Sequence, residues 1–343
     1  SGLDLVVHCG DYIYERGPEG AEADRPGQIT AVTLDDYRYL YALHRSDEHL
    51  QAAHAASPWL IVWDDHETSN NYVGETPDDD SESRTVEELL TRRADAYRAW
   101  WEHMPVRFAP PEGPDLAIHR AIDVGALARI HLVDTRQYRT PLACEEAVNS
   151  VGPRCDTSFA PATTVLGAEQ EAWLADGLAE GERTWDVVGN QIVLHQWRFG
   201  PGDDAIFNLD QWDGYPTART RMTDALAAAA GDVVVLTGDV HTTWVSDLNA
   251  DFDRESERVG TEFVAPGIGS PGIALDPITE PVKVNSPHIR YAEAQHRGWL
   301  RHEVTAEAWT TEVRHVDDHL DPASRVRTAG TWVVEPGRAV AEA

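Results

Sequence analysis

Apolar runs that stop abruptly in carboxylate and imidazole side chains constrain this chain more than any other feature. Residues 3–9 (LDLVVHC) run into Gly10-Asp11-Tyr12-Ile13-Tyr14-Glu15, and residues 59–63 (WLIVW) run into Asp64-Asp65-His66-Glu67. Residues 232–236 (DVVVL) run into Thr237-Gly238-Asp239-Val240-His241. Each run has the length and composition of a buried strand. Glycine before the carboxylate permits a sharp exit that turns the side chain toward a common centre. In layered α/β proteins the loops at strand ends are where ligands bind. One such cluster alone is most simply a polar turn. Three in one chain point to chemistry. Asp11 and Tyr14 are three apart, so a turn places both oxygens on one side. Asp239 and His241 are two apart, so an extended segment sends both to the same face. Carboxylate, phenolate and imidazole together suit a trivalent or borderline cation better than a pure calcium site.

The rest of the chain supplies a frame for these ends. Residues 35–56 read as helical, with Leu34, Tyr37, Leu40, Tyr41 and Leu50 as the apolar face and Pro58 closing it. Residues 86–103, with Tyr97, Trp100 and Trp101, and residues 167–178 are helical in pattern as well. Residues 117–133 read as two strands around a turn at 123–125, the second being 128–133. Further strands are expected at 186–194, 261–264 and 299–304, with 309–316 as a terminal strand. No internal repeat and no long linker divides the chain. The expectation is one domain over residues 1–343, an α/β or α+β layered fold with β-sheets sandwiched with helices.

Charge narrows the function classes. With 28 Lys and Arg against 59 Asp and Glu the formal net charge is −31, and Lys283 is the only lysine. Such a surface repels nucleic-acid phosphates and anionic membranes, so no nucleic-acid-binding module is expected. It would also repel a phosphate ester unless the site carried its own positive charge, as a metal cluster does. Solubility or salt adaptation accounts for the charge equally well. No stretch approaches the ~18 apolar residues of a transmembrane segment, and the first residues lack the basic and apolar regions of a signal peptide. Cys144 and Cys155 flank a Gly-, Pro- and Asn-containing segment, which reads as a disulfide-closed loop in an oxidising compartment, two separate thiols being the alternative. Cys9 lies in an apolar run and reads as a core residue.

The ordered series Gly10–Glu15 (GDYIYE), then WDDHE at 63–67 with Asn70-Asn71-Tyr72, then Gly238-Asp239-Val240-His241 resembles the PhoD-type alkaline phosphatases. These are similar in turn to purple acid phosphatases and calcineurin-like metallophosphoesterases. Residues 97–107 (YRAWWEHMPVR), 134–138 (DTRQY), 189–191 (GNQ), 212–216 (WDGYP) and 285–291 (NSPHIRY) continue the match, which runs over essentially the whole chain. The resemblance implies a metal-dependent hydrolase of phosphate monoesters or diesters, with a metal-activated oxygen attacking phosphorus. It implies Asp11 as a carboxylate bridging two metals, with Tyr14 and His241 completing an Fe(3+) site. Asp65, Asp239 and Asn190 would hold Ca(2+), with Asn71 a further candidate. His66 would act on the leaving oxygen without binding metal, and Arg136 would contact phosphate or support the structure. The substrate would be a small-molecule ester or a phospholipid, and the location secreted or cell-envelope. Two rivals remain: a phospholipase D-type phosphodiesterase, and a non-catalytic metal-binding scaffold.

The family also shares an earlier strand ending in a cysteine ligand for iron, so the resemblance reads this sequence as an N-terminally truncated catalytic domain. Residues 78–83 (DDDSES) lack the spacing and glycine of an EF-hand loop and read as a solvated acidic loop. Residues 267–272 (GIGSPG) are not a nucleophile elbow, because Pro271 would spoil it. They read as a tight loop beside the site.

Overall fold

The computed structural model describes residues 2–17, 26–78, 81–144, 150–181, 183–270 and 276–343. The chain forms two compact units: Ser1–Ile118 with Asp134–Pro141, and His119–Val133 with Leu142–Ala343.

In the first unit β1 (Val6–His8) and β2 (Trp59–Ile61) pair in parallel, Val6 opposite Trp59, so both strands deliver their polar continuations at the same edge. Between them run α1 (Leu34–Arg45) and α2 (Glu48–Ala56), and α3 (Val86–His103) follows. The one helix expected over 35–56 is two, because the Asp47 carboxylate accepts from His49 N and Leu50 N, both at 2.9 Å, and starts a new helix. Capping boxes at Thr33/Asp36 and Thr85/Glu88 begin α1 and α3. Trp63 stacks on Tyr97 at 3.9 Å between ring centroids, which fixes the chain leaving β2 against α3. The same helix turns two arginines inward. Arg92 donates to Tyr37 Oη and Ala31 O, each at 2.7 Å, and Arg93 to Gly74 O and Pro114 O, each at 2.8 Å. Each buried guanidinium thereby satisfies loop carbonyls that water cannot reach. Arg92 also reaches the Ser69 and Ser81 hydroxyls, which is why Ser81 and Ser83 are buried rather than part of a solvated loop. Asp79 and Asp80 of that segment lie outside the described residues.

The second unit comprises β3 (Arg120–Val124), β4 (Ala128–Leu132), β5 (Val151–Gly152), α4 (Gly167–Ala179), β6 (Trp185–Gly189), β7 (Phe207–Asn208) and α5 (Pro216–Ala227). Then come β8 (Asp232–Thr237), β9 (Thr243–Asn249), β10 (Arg258–Val264), α6 (Asp276–Asn285), β11 (Ile289–Glu293), β12 (Arg297–Val304), β13 (Trp309–Val316), β14 (Val326–Val334) and β15 (Ala341–Glu342). The main sheet has the order β11-β9-β10-β8-β6-β4-β3, with parallel pairing from β4 through β6 and β8 to β10. Leu174 and Leu178 of α4 and Met222 and Leu226 of α5 pack with Val188, Val233 and Val235 on one face. On the other face Trp185 meets Trp309 at 5.8 Å and donates to Thr305 O at 2.7 Å, so the sheet β12-β13-β14-β15 covers it. Buried on both faces, β8 carries an uninterrupted apolar run from Val233 to Leu236. Helices, sheet and sheet make the expected layered architecture.

Two boundaries differ from expectation. The strand expected to reach residue 194 ends at Gly189, because side chains take over its backbone donors: Gln211 Oε1 accepts Val193 N at 2.6 Å, and Glu262 accepts Leu194 N and His195 N. Residues 309–316 are not terminal, since β14 pairs along β13 and continues the sheet. Cys144 and Cys155 form a disulfide, with Cα atoms 5.6 Å apart. Burial, then the Asp64 charge, pushes the Cys9 thiol up to about 12, which keeps it protonated. No described helix is long and apolar enough to cross a membrane. Pro271 and Gly272 lie outside the described residues.

Candidate functional site

In the first unit the two strand ends are locked together by one side chain. Glu67 is fully buried, and its Oε2 accepts from Asp11 N at 3.0 Å and Asp64 N at 2.8 Å while Oε1 accepts from Tyr12 N at 2.6 Å. Gly10, at φ 114°, permits the approach: a Cβ there would lie 2.5 Å from both Asp64 Cβ and Asp64 N. Asp11 follows with φ 57°, in the left-handed region.

The clamp brings predicted residues together. Ligand atoms of Asp11, Asp65 and His66 all lie within 4.8 Å of one another. Tyr14 Oη donates to Asp11 Oδ2 at 3.5 Å, as the three-residue spacing requires, and the Tyr14 ring lies 4.3 Å from that of His66. His66 Nδ1 meets Glu15 Oε2 at 2.8 Å, and its Nε2 stands 3.9 Å from Asp65 Oδ2. Glu15 Oε1 in turn accepts Asn70 N at 2.7 Å. Asn71, at φ 49°, donates its backbone N–H to Asp65 Oδ2 at 2.7 Å. Arg136 is fully buried and grips Asp64 with Nε at 2.6 Å and Nη2 at 3.1 Å, with Asp65 Oδ1 at 3.2 Å. That geometry makes Arg136 a holder of carboxylates.

The electrostatics follow from burial and this crowding. Burial opposes ionisation of Asp65, yet the Arg136 and His66 charges hold its carboxyl well below the usual range. Burial would lower His66, but Asp65, Glu15 and Asp11 raise it well above an ordinary imidazole. Glu15 is lowered against its burial by His66 and the Asn70 amide.

In the second unit β8 ends at Thr237, and Gly238 to His241 form a tight turn in which Val240 N donates to Gly238 O at 2.8 Å. Asp239 (φ 67°) and His241 (φ 52°) are both left-handed. The expected extended segment is therefore absent, and two-residue alternation does not describe their directions. Gln211 Nε2 donates to Asp239 Oδ2 at 2.8 Å, and the Arg297 guanidinium donates to His241 O. Asn190 is fully buried; its amide donates to Ile192 O, and its Oδ1 accepts Trp212 Nε1 at 3.3 Å. Thr237 Oγ1 donates to Glu262 Oε1 at 2.6 Å, anchoring the strand end that carries the turn.

Among the described residues five non-glycine residues have positive φ: Asp11, Asn71, Ser150, Asp239 and His241. All but Ser150 were singled out from the sequence. Strain of this kind persists where surrounding structure over-determines it, and it concentrates at functional sites. The sequence reading gave no role to Glu15, Asp64, Glu67, Gln211 or Glu262. Glu15, Asp64 and Glu67 stood inside the quoted motifs, whereas Gln211 and Glu262 carried no local signal.

A family model described as PhoD-like phosphatase matches residues 1–313. Alkaline phosphatase D of Bacillus subtilis (strain 168) is 39% identical over 346 aligned residues, covering 97% of this chain and 58% of that protein. A solved structure titled "Structure of PhoD" superposes with a TM-score of 0.92 at 38% identity, covering all of this chain and 66% of that one. The chain thus spans less than two thirds of the length of the relatives it matches.

Proposed function

Because the chain belongs to the PhoD-like phosphatase family, we propose that it hydrolyses phosphate esters with the help of bound metal. The observation that carries this reading is the cluster of Asp11, Asp65 and His66, whose ligand atoms all lie within 4.8 Å of one another, with left-handed backbone at the proposed ligands Asp11, Asn71, Asp239 and His241 beside it. The proposed metal ligands are Asp11, Tyr14, Asp65 and Asn71 in the first unit, and Asn190, Asp239 and His241 in the second.

The donors fit such ions. Asp65 Oδ1 is buried with the Arg136 guanidinium 3.2 Å away but outside hydrogen-bond geometry, and its neighbours Asp11 and His66 already sit at ligand-to-ligand separations. Phenolate and imidazole suit Fe(3+), and carboxylate and amide oxygens suit Ca(2+), which are the metals proposed. When bound, such cations neutralise phosphoryl oxygens and favour attack on phosphorus.

The chain's own side chains supply the rest. Glu15 engages His66 Nδ1, which sets Nε2 as the nitrogen turned toward Asp65 and able to carry a proton to the leaving oxygen. Arg136 neutralises and orients Asp64 and Asp65, a positioning role. The paired, oriented His66 favours catalysis over a passive metal-binding scaffold. The disulfide supports a secreted or cell-envelope location. Asp11→Asn tests the reading: metal content by elemental analysis and hydrolysis of p-nitrophenyl phosphate should both be lost. Wild-type metal and turnover in that variant would refute it.

A further inference from the structure

The second unit carries another donor cluster, which the phosphatase reading does not use. Glu293 ends β11, His296 lies in the short link to β12, and His315 is near the end of β13. Their ligand atoms all lie within 4.8 Å of one another. Glu293 Oε1 is 2.7 Å from His296 Nδ1, and Oε2 is 3.6 Å from His315 Nε2. Donors around a tetrahedral zinc ion, with bonds of about 2.0 Å, stand about 3.3 Å apart. The two separations, one to each oxygen of Glu293, lie on either side of that value.

We propose that Glu293, His296 and His315 form a binding site for a divalent transition ion of the zinc type, separate from the phosphatase ligands. Two imidazoles and one carboxylate are a borderline-soft donor set, and they favour such an ion over calcium or magnesium. The site is rigid, because Glu293 pairs with Thr243 across β11 and β9, and His315 with Gly298 across β13 and β12. Thr243 Oγ1 lies 3.1 Å from His315 Nε2, within reach of an ion held there. His315 is fully buried and turns Nε2 toward Glu293 and Thr243, so Nε2 is the nitrogen offered to the ion. Burial lowers that imidazole to about 4 despite Glu293. A neutral ring keeps a lone pair for a cation at ordinary pH. Glu293 and His296 are partly exposed, which leaves an entry path. Binding requires His296 Nδ1 to give up its proton. It also breaks the 3.0 Å contact of His296 Nε2 with Arg327, whose half-exposed side chain can turn toward Asp317.

The test titrates the full 343-residue chain, stripped with chelator, with zinc alone, by calorimetry, beside His296→Ala and Glu293→Gln. Neither side chain is fully buried, and circular dichroism checks that each variant folds. The expected result is one fewer tight zinc equivalent, or affinity at least ~10-fold weaker, in both stripped variants, while samples never treated with chelator keep the wild-type iron and calcium content. Cobalt should give an intense tetrahedral visible spectrum in the wild type that both variants lack. Equal zinc stoichiometry and affinity in all three proteins would overturn the proposal. So would zinc binding that disappears in Asp11→Asn while surviving in His296→Ala.

Discussion

Replacing Glu67 by glutamine removes one acceptor with almost no change of volume. Burial pushes the Glu67 carboxyl up to about 7, so above that pH the change also removes a charge. The carboxylate holds three backbone donors, those of Asp11, Tyr12 and Asp64, at 3.0, 2.6 and 2.8 Å. Glutamine keeps one oxygen, which serves Asp11 and Asp64 best because both bond the same Oε2. Its NH2 then faces Tyr12 N, donor against donor. Losing one charge-assisted bond and stranding a buried N–H costs about 3–5 kcal/mol. That corresponds to a fall of about 10 °C in Tm. The strained backbone at Asp11 loses its tether, and a displacement of ~1 Å in a reacting group costs about 10²-fold in rate. The assay is thermal unfolding by circular dichroism, with metal content and kcat measured on the folded, metal-loaded fraction. An unchanged Tm would show that Glu67 does not hold these loops. A lowered Tm with wild-type kcat per loaded molecule would show that the clamp stabilises the unit without positioning its ligands.

His66→Ala should lower kcat by ~10²–10⁴-fold while leaving metal content nearly intact, and loss of metal in step with activity would make His66 a ligand. Reducing the Cys144–Cys155 bond, which spans 11 positions, should remove about 3 kcal/mol of stability on the chain-entropy estimate; an unchanged Tm in reductant would contradict this. His288, buried and bonded through Nε2 to Gln196 O, is lowered to about 3 by burial and then by His195. Between that value and ~6.5 the unfolded chain binds a proton that the folded one refuses. Its contribution is therefore complete above pH ~6.5 and is lost toward pH 3, at up to about 1.4 kcal/mol per pH unit. Plots of Tm against pH should be shallower in His288→Gln over that window, and parallel curves would refute the assignment.

The sequence by itself determined the buried strand β8, the α3 helix to the residue, and the polar clusters that leave β1, β2 and β8, because each is written in consecutive residues. β1 and β2 are half-buried, and β9, as buried as β8, is not among the strands expected. Apolar runs and a glycine before a carboxylate act over one or two turns of chain, so they can be read without knowing the tertiary partners. What only the tertiary structure decided is how these ends are held. Glu67 binds backbone atoms 55 and 56 positions away, Arg136 grips Asp64 across 72, and Glu262 reaches Thr237 and His195 from a neighbouring strand. No periodicity marks such partners, since a buried carboxylate becomes a clamp only where folding has delivered donors to it. The turn at Gly238–His241 shows the same limit. Two-residue spacing promised an extended segment, but left-handed φ at Asp239 and His241 is a local cost that only the surrounding packing sustains.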